Sequence, residues 1–238
     1  MLNRKMFISV HSAFKIQHLT LYIRGPLPAV IRLFTQFHYR CGKLSNFYKG
    51  GHMSRHPDLL KRTRSGLLVI DVQEKFAPVI PDIDGITLQI VKLIRAFQLF
   101  EQPIWITEQY PAGLGSTMAP ILELMQKGFK RIEKLSFSVC GVPDFIRTLR
   151  TAKKTDLILC GIEAHVCVWQ SALDLMHEGF HVTVVKDAVS SRHALDRDTA
   201  FERMRIADIH LTTTETLLFE LLENADDPLF KPIQSLIK

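Results

Sequence analysis

Asp71, Lys134 and Cys167 each stand at or just past the end of an apolar run, and together they could carry out nucleophilic acyl transfer. Asp71 directly follows Leu68-Val69-Ile70. Lys134 closes Phe129-Lys130-Arg131-Ile132-Glu133-Lys134. Cys167 lies a few residues beyond Leu157-Ile158-Leu159-Cys160-Gly161, in the first turn of an expected helix. The dipole and free N–H groups of a helix start lower the pKa of a thiol and favour thiolate. A carboxylate can take the thiol proton, and an ammonium can hold the resulting charge. The same N–H groups can stabilise an oxyanion. Singly, each residue has a plainer reading: Asp71 as a turn former, Lys134 as a solvated charge, Cys167 as a small core residue. Cys160, mid-run beside Leu159, reads as core. Shared location sets the three apart.

The elements that would place them alternate. Residues 66–71 read as a buried strand and 84–101 as a helix, with Ile86, Ile90, Leu93, Ile94 and Phe97 at helical spacing. A strand at 103–107 precedes a loose Gly- and Pro-containing stretch at 108–117. A helix at 118–127 would end at Gly128, followed by a strand at 129–134 and a helix at 143–152. Residues 156–161 are a second strongly apolar strand. The helix at 164–178 carries Val166, Trp169, Leu173 and Met176 on one face. Strands at 180–186 and 209–213 flank a helix at 195–207, and helices at 214–222 and 228–237 close the chain. This alternation predicts an α/β fold: a three-layer α/β/α sandwich around a mostly parallel, six-stranded, Rossmann-like sheet. Ligands of such sheets bind beyond the carboxyl ends of the strands. The first strand leads into Asp71-Val72-Gln73-Glu74-Lys75 and not into GxGxxG, which argues against a dinucleotide-binding domain.

Composition narrows the class. The chain has 238 residues, 47% apolar and 23% charged, as expected of a globular protein. No run approaches the length of a transmembrane helix, so no membrane partner is expected. Cys41, Cys140, Cys160 and Cys167 show no CxxC spacing and are too few for a disulfide scaffold. A reducing, cytoplasmic location is the expectation. The net charge of +6 divides unevenly. Residues 1–64 hold 12 Lys and Arg against one acid, and residues 65–238 hold 18 against 23, which gives +11 and −5. The basic balance therefore belongs to a leader, 1–64, and not to the domain, 65–238, for which no nucleic-acid partner is expected. Residues 1–52 contain no acid and admit three readings. They could be a mitochondrial transit peptide, which would change the location, or a genuine basic arm. Alternatively, translation starts at Met53, because Lys49-Gly50-Gly51-His52 can be encoded as a ribosome-binding sequence with its spacer; Gly51-His52-Met53 also matches a cloning scar.

The stretches Leu68-Val69-Ile70-Asp71-Val72-Gln73, Glu133-Lys134-Leu135-Ser136-Phe137-Ser138 and Gly161-Ile162-Glu163-Ala164-His165-Val166-Cys167-Val168 are ordered and spaced as in one family. Over 65–238 the sequence resembles the isochorismatase-like cysteine hydrolases. Thr107-Glu108-Gln109-Tyr110-Pro111 and Asp187-Ala188-Val189-Ser190-Ser191-Arg192 look most like the isochorismatase domain-containing subgroup.

The resemblance implies an Asp–Lys–Cys triad: Asp71 as general base, Lys134 supporting the charge and Cys167 as nucleophile. It also implies a non-proline cis peptide between Ile162 and Glu163, with the Glu163 and Cys167 amides forming the oxyanion hole. Gln73, Phe76, Gln109, Tyr110 and Phe137 are candidates for the substrate pocket. Trp169 reads as core or subunit interface, and Arg192 as a contact to a neighbouring subunit in a dimer or larger homo-oligomer. Nicotinamidases of this superfamily carry an Asp-x-His metal cluster where this chain reads Thr107-Glu108-Gln109-Tyr110, so no metal and no other cofactor is expected. His165 and His177 read as capping or surface residues. The expected function is metal-independent hydrolysis of an amide or related C–N bond in a small molecule, through a thioester. The alternatives are a non-catalytic scaffold that keeps the fold, a vinyl ether hydrolase of isochorismatase type, and RNA cleavage, suggested only by the basic leader.

Overall fold

Leu67, Leu68, Val69 and Ile70 fill the middle of the molecule without exposure on either face of the sheet. Such a run suits an inner strand of a parallel sheet covered by helices on both sides, and each side chain contributes about 1.5–3 kcal/mol of burial. The computed structural model describes residues 55–126 and 129–238. The readings made for residues 1–52, Met53 and the Gly128 helix stop concern residues outside those described.

Six strands form one parallel sheet: β1 (Ser65–Ile70), β2 (Ile104–Gln109), β3 (Ile132–Lys134), β4 (Asp156–Ile162), β5 (His181–Ser190) and β6 (His210–Thr212). Their order is β3-β2-β1-β4-β5-β6. The connections run outward in one direction from β1 and in the other from β4. The switch point of the sheet thus lies between these two strands, both fully buried. Helix α1 (Ile83–Leu99) packs on β1 and β5 and touches α5 (Thr214–Leu222) and α6 (Phe230–Ile237). On the other side, α3 (Trp169–His177) and α4 (Ala194–Ile206) pack on β5 and on the turn before α3; α2 (Phe145–Thr151) joins them through the loop at Val139–Gly141. The result is the expected α/β sandwich.

Element boundaries depart from expectation in three places. The helix expected at 118–127 is a single turn, Ala119–Leu122, entered through Pro120. The helix expected at 164–178 begins as a π-helix, Ala164–Val168, before α3. The strand expected at 180–186 runs on to Ser190, past an irregularity in its pairing with β4. The last difference arises from strand pairing, which periodicity along the chain does not encode.

The compact unit spans His56–Lys238 and so includes residues upstream of Ser65. Leu60 is buried, Arg62 pairs with Asp227 at 2.8 Å, and Arg64 pairs with the buried Asp156 at 3.0 Å. The guanidinium of Arg62 also lies 5.3 Å from the centre of the Phe100 ring. These contacts tie the entry segment to the amino-terminal edge of the sheet, away from the strand ends that carry the reactive groups.

Candidate active site

Register brings the site together. Ile70 pairs with Thr107 on β2 and with Gly161 on β4, so Asp71 emerges at the switch point between them. Gln109 pairs with Lys134 across β2 and β3, one strand further out. Asp71 adopts φ +54, in a region where Asp is tolerated better than most residues. Its N–H bonds to the Thr107 carbonyl at 3.2 Å, and its side chain is completely buried. Thr107 Oγ1 donates to Asp71 Oδ1 at 2.6 Å, and Lys134 Nζ stands 2.7 Å from Oδ2. A buried carboxylate needs such company, since an unpaired one would cost several kcal/mol (about 3–5).

The Lys134 ammonium is held from several sides. It donates to Gln109 Oε1 at 2.7 Å, to the Phe137 carbonyl at 2.9 Å and to the Ser136 carbonyl at 3.2 Å. The loop supplying these carbonyls is pinned in turn. Ser136 Oγ donates to the Ser138 carbonyl, and Val139 N–H donates to Ser171 Oγ on α3. Lys134 is therefore not the solvated charge of its plainer reading.

Cys167 is buried in the π-helical turn that follows β4. In that turn the N–H groups of Val166 and Val168 both donate to the Glu163 carbonyl at 3.2 Å. The Ile162–Glu163 peptide bond is cis. Among the described residues the Glu163 N–H has no acceptor in the chain. Gly161 permits this path: at φ +121, a Cβ would lie 2.1 Å from the Ile70 carbonyl oxygen, immediately before Asp71.

The thiol itself corrects an expectation. Its helix-start position predicts a depressed pKa, but burial pushes the Cys167 thiol up to about 12. The Asp71 carboxylate raises it further, and the Lys134 ammonium works in the opposite direction. Desolvation thus outweighs the helix-start effect and favours the neutral form of the Cys167 thiol.

The other candidate residues divide. Gln73 is fully buried and its amide is spent on backbone: Nε2 donates to the carbonyls of Gln109 at 3.0 Å and Gly115 at 2.7 Å, and Oε1 accepts from Gln109 N–H at 2.7 Å. It braces the ends of β1 and β2. Gln109 likewise turns to Lys134, with Nε2 donating to the Leu135 carbonyl at 2.8 Å. Phe76 packs partly against the core. Tyr110 and Phe137 are exposed and, with the exposed Leu135, form an apolar rim next to Lys134. Trp169 is core, with the Arg203 guanidinium on α4 lying 4.4 Å from its ring centre. Arg192 does not need a neighbouring subunit for a partner: its N–H and Nε both donate to Glu163 Oε1, at 3.2 and 3.0 Å. His165 Nδ1 lies 2.9 Å from Ser191 Oγ, so this residue and Glu163 fasten the Cys167 turn to the end of β5. Thr107 was missed; only its register opposite Ile70 marks it. Glu108, at the place of the nicotinamidase cluster, is buried and accepts from Thr117 N–H at 2.6 Å and Thr117 Oγ1 at 2.7 Å. Among the described residues, no three His, Cys, Asp or Glu side chains converge as metal ligands.

A family profile described as Isochorismatase domain matches residues 65–216. The chain belongs to the isochorismatase family. Among its family relatives, isochorismatase domain-containing protein 2A of Mus musculus is 40% identical over 173 residues, covering 72% of this chain and 82% of the mouse protein. A solved structure from Caenorhabditis elegans named MAR1 ribonuclease is 42% identical, with a TM-score of 0.71 over 75% of this chain and 91% of that one. An Escherichia coli protein described as an octameric hydrolase of unknown specificity shares the fold at 22% identity, with a TM-score of 0.71 over 77% of this chain and 91% of that one. This isochorismatase-family chain thus has a hydrolase fold, and its Asp71, Lys134 and Cys167 meet at the switch point of the sheet.

Proposed function

We propose that the protein is a metal-independent cysteine hydrolase that cleaves an amide or related C–N bond of a small molecule. One arrangement carries this reading: the buried Asp71 carboxylate, 2.7 Å from the Lys134 ammonium, next to the buried Cys167 thiol. Asp71 takes the thiol proton as the substrate carbonyl arrives. The sulfur attacks the carbonyl carbon, and the oxygen takes up the negative charge against the Glu163 and Cys167 N–H groups. The tetrahedral species collapses by breaking its C–N bond, and the leaving amine takes the proton from Asp71. Water, deprotonated by Asp71, then attacks the thioester; the acid leaves, and the sulfur regains its proton. Lys134 supplies the counter-charge to Asp71 at 2.7 Å. No metal is written into this scheme because the acids near the strand ends, Glu108 among them, are already engaged by protein donors.

The test is a panel of small amides, with released amine and the intact mass of the full chain both measured. Wild type should turn over at least one amide and carry a transient acyl group on Cys167. Cys167→Ala should lose at least about a thousandfold in turnover and Asp71→Asn nearly as much, while Cys160→Ala keeps most activity. Full turnover by Cys167→Ala would sink the mechanism.

The name of the C. elegans structure favours a second reading, RNA cleavage. The domain's net charge of −5 and its buried nucleophile argue against a phosphate-tracking surface there. RNA cleavage that survives purification and disappears with Cys167→Ala would favour that reading over amide hydrolysis.

We also propose that the chain works in the cytoplasm as a homo-oligomer. Tyr110, Leu135 and Phe137 expose apolar surface together, and the E. coli fold neighbour is described as octameric. Among the described residues no helix is long and apolar enough to cross a membrane. Mass photometry of the full chain should give a dimer or larger, and Leu135→Lys with Phe137→Lys should reduce it. A monomer at micromolar concentration would refute the assembly.

A further inference from the structure

We propose that Gln109 is a positioning residue that occupies the Lys134 ammonium, so that Asp71 Oδ2 stays free to accept the thiol proton. The inference rests on the proposed reading of Asp71 as base. An ammonium has three N–H donors. Four oxygens surround those of Lys134: Gln109 Oε1 at 2.7 Å, the Phe137 carbonyl at 2.9 Å, the Ser136 carbonyl at 3.2 Å and Asp71 Oδ2 at 2.7 Å, so they compete for three hydrogens. Asp71 Oδ2 lies 2.7 Å from the same nitrogen, yet it is buried and receives no aligned hydrogen bond among the described residues. The other oxygen, Oδ1, takes the Thr107 hydroxyl. The two carboxylate oxygens are thus unlike: one takes a hydroxyl, and the other faces an ammonium whose hydrogens are shared with Gln109 and two carbonyls.

Charge and hydrogen bonding have separate consequences here. The charge offsets the cost of burying a carboxylate. A hydrogen bond to Oδ2 would do the same but would also cap the atom that must pick up a proton, lowering its basicity. Gln109 divides these effects by giving one ammonium hydrogen somewhere else to go. Its own aim is fixed by three contacts. Nε2 donates to the Leu135 carbonyl, and its backbone N–H and carbonyl both bond to the amide of buried Gln73. The titratable groups facing Asp71 are Lys134 from β3 and Cys167 from the nucleophile turn; β2 contributes the neutral Thr107.

The test needs no substrate. Alkylation of Cys167 by iodoacetamide is followed by peptide mass spectrometry between pH 4 and 10 in the full chain, with Cys140 as internal comparison and circular dichroism as a fold check. Wild type should show an acid limb, a fall in Cys167 labelling at low pH, that Asp71→Asn abolishes. In Gln109→Met the released ammonium hydrogen turns to Oδ2. The acid limb then moves down by about one pH unit, and the plateau rate falls about three- to tenfold. In Gln109→Glu the acceptor remains and a negative charge is added, so the limb moves up by about the same amount. Opposite displacements in two folded variants are what a plain structural brace does not produce. An unmoved limb in both variants, with only a lower melting temperature, overturns the role of Gln109 while leaving Asp71 as base. A wild-type profile that Asp71→Asn does not alter overturns the reading of Asp71, and this inference with it. If one variant does not fold, the other still carries a signed expectation.

Discussion

Burial and the neighbouring Asp71 both push the Cys167 thiol up, so in the proposed mechanism its reactivity depends on Asp71 being at hand to take the proton. That dependence makes Lys134 a residue of stability as much as of chemistry. Its side chain and that of Asp71 are both fully buried. Lys134→Met should leave a buried carboxylate without its counter-charge and destabilise the fold by about 3–5 kcal/mol. Adding Asp71→Asn removes that charge, so the double variant should recover much of the stability and none of the activity. Urea titrations of the two single variants and the double variant measure this. Additive losses would show that the pair does not interact as its distance implies.

The path of β4 into the turn that carries Cys167 depends on one glycine. Gly161 sits at φ +121 with no room for a Cβ, and the obstacle is the backbone of Ile70, which cannot rotate away. Gly161→Ala should therefore cost about 3 kcal/mol or more and displace Asp71 and Cys167 relative to one another. The expected result is little soluble protein, or a melting temperature lowered by about 6–12 °C for a domain of this size, with Cys167 labelling no longer sensitive to Asp71→Asn. A variant of native stability and reactivity would mean that the β1–β4 approach is looser than the geometry requires. The turn beyond Gly161 is secured from β5, where Arg192 and Ser191 reach Glu163 and His165.

At the scale of the molecule, the three thiols among the described residues, all buried or half-buried, share one sign. Burial raises Cys140 to about 11 and Cys167 to about 12, and raises Cys160, the most deeply buried, as well. A group whose folded pKa lies above its unfolded value of 9.0 gives stability that is fully present below pH 9.0. That contribution is lost as the pH rises through the folded value. The fold should therefore weaken steadily above pH 9, by at most about 1.4 kcal/mol per pH unit for each thiol. Cys160→Ala should lower the melting temperature at every pH, through the cavity it leaves, and yet flatten the alkaline slope. Melting curves from pH 7 to 11 decide it; an unchanged slope would mean that Cys160 is not protonated against solvent.

Much of this was legible in the sequence because it is written in short range. Apolar runs at 66–70 and 156–160, helical spacing between them, and reactive residues at the run ends determined an α/β sheet with Asp71, Lys134 and Cys167 at one edge. The tertiary structure decided what those residues experience. Strand order put Asp71 and Cys167 on either side of the switch point, and parallel register set Thr107 and Gln109 against Asp71 and Lys134. No sequence spacing reports either, because strand pairing is non-local. Burial reversed the direction expected for the thiol, since desolvation depends on what surrounds a side chain and not on its place in a helix. The amides of Gln73 and Gln109, candidates for a substrate pocket, are hydrogen-bonded to their surroundings for the same reason: an amide bonds to whatever the fold brings within reach. The sequence by itself determined the reactive groups and their common edge; the packed fold alone decided which of them are neutral, paired or held in place.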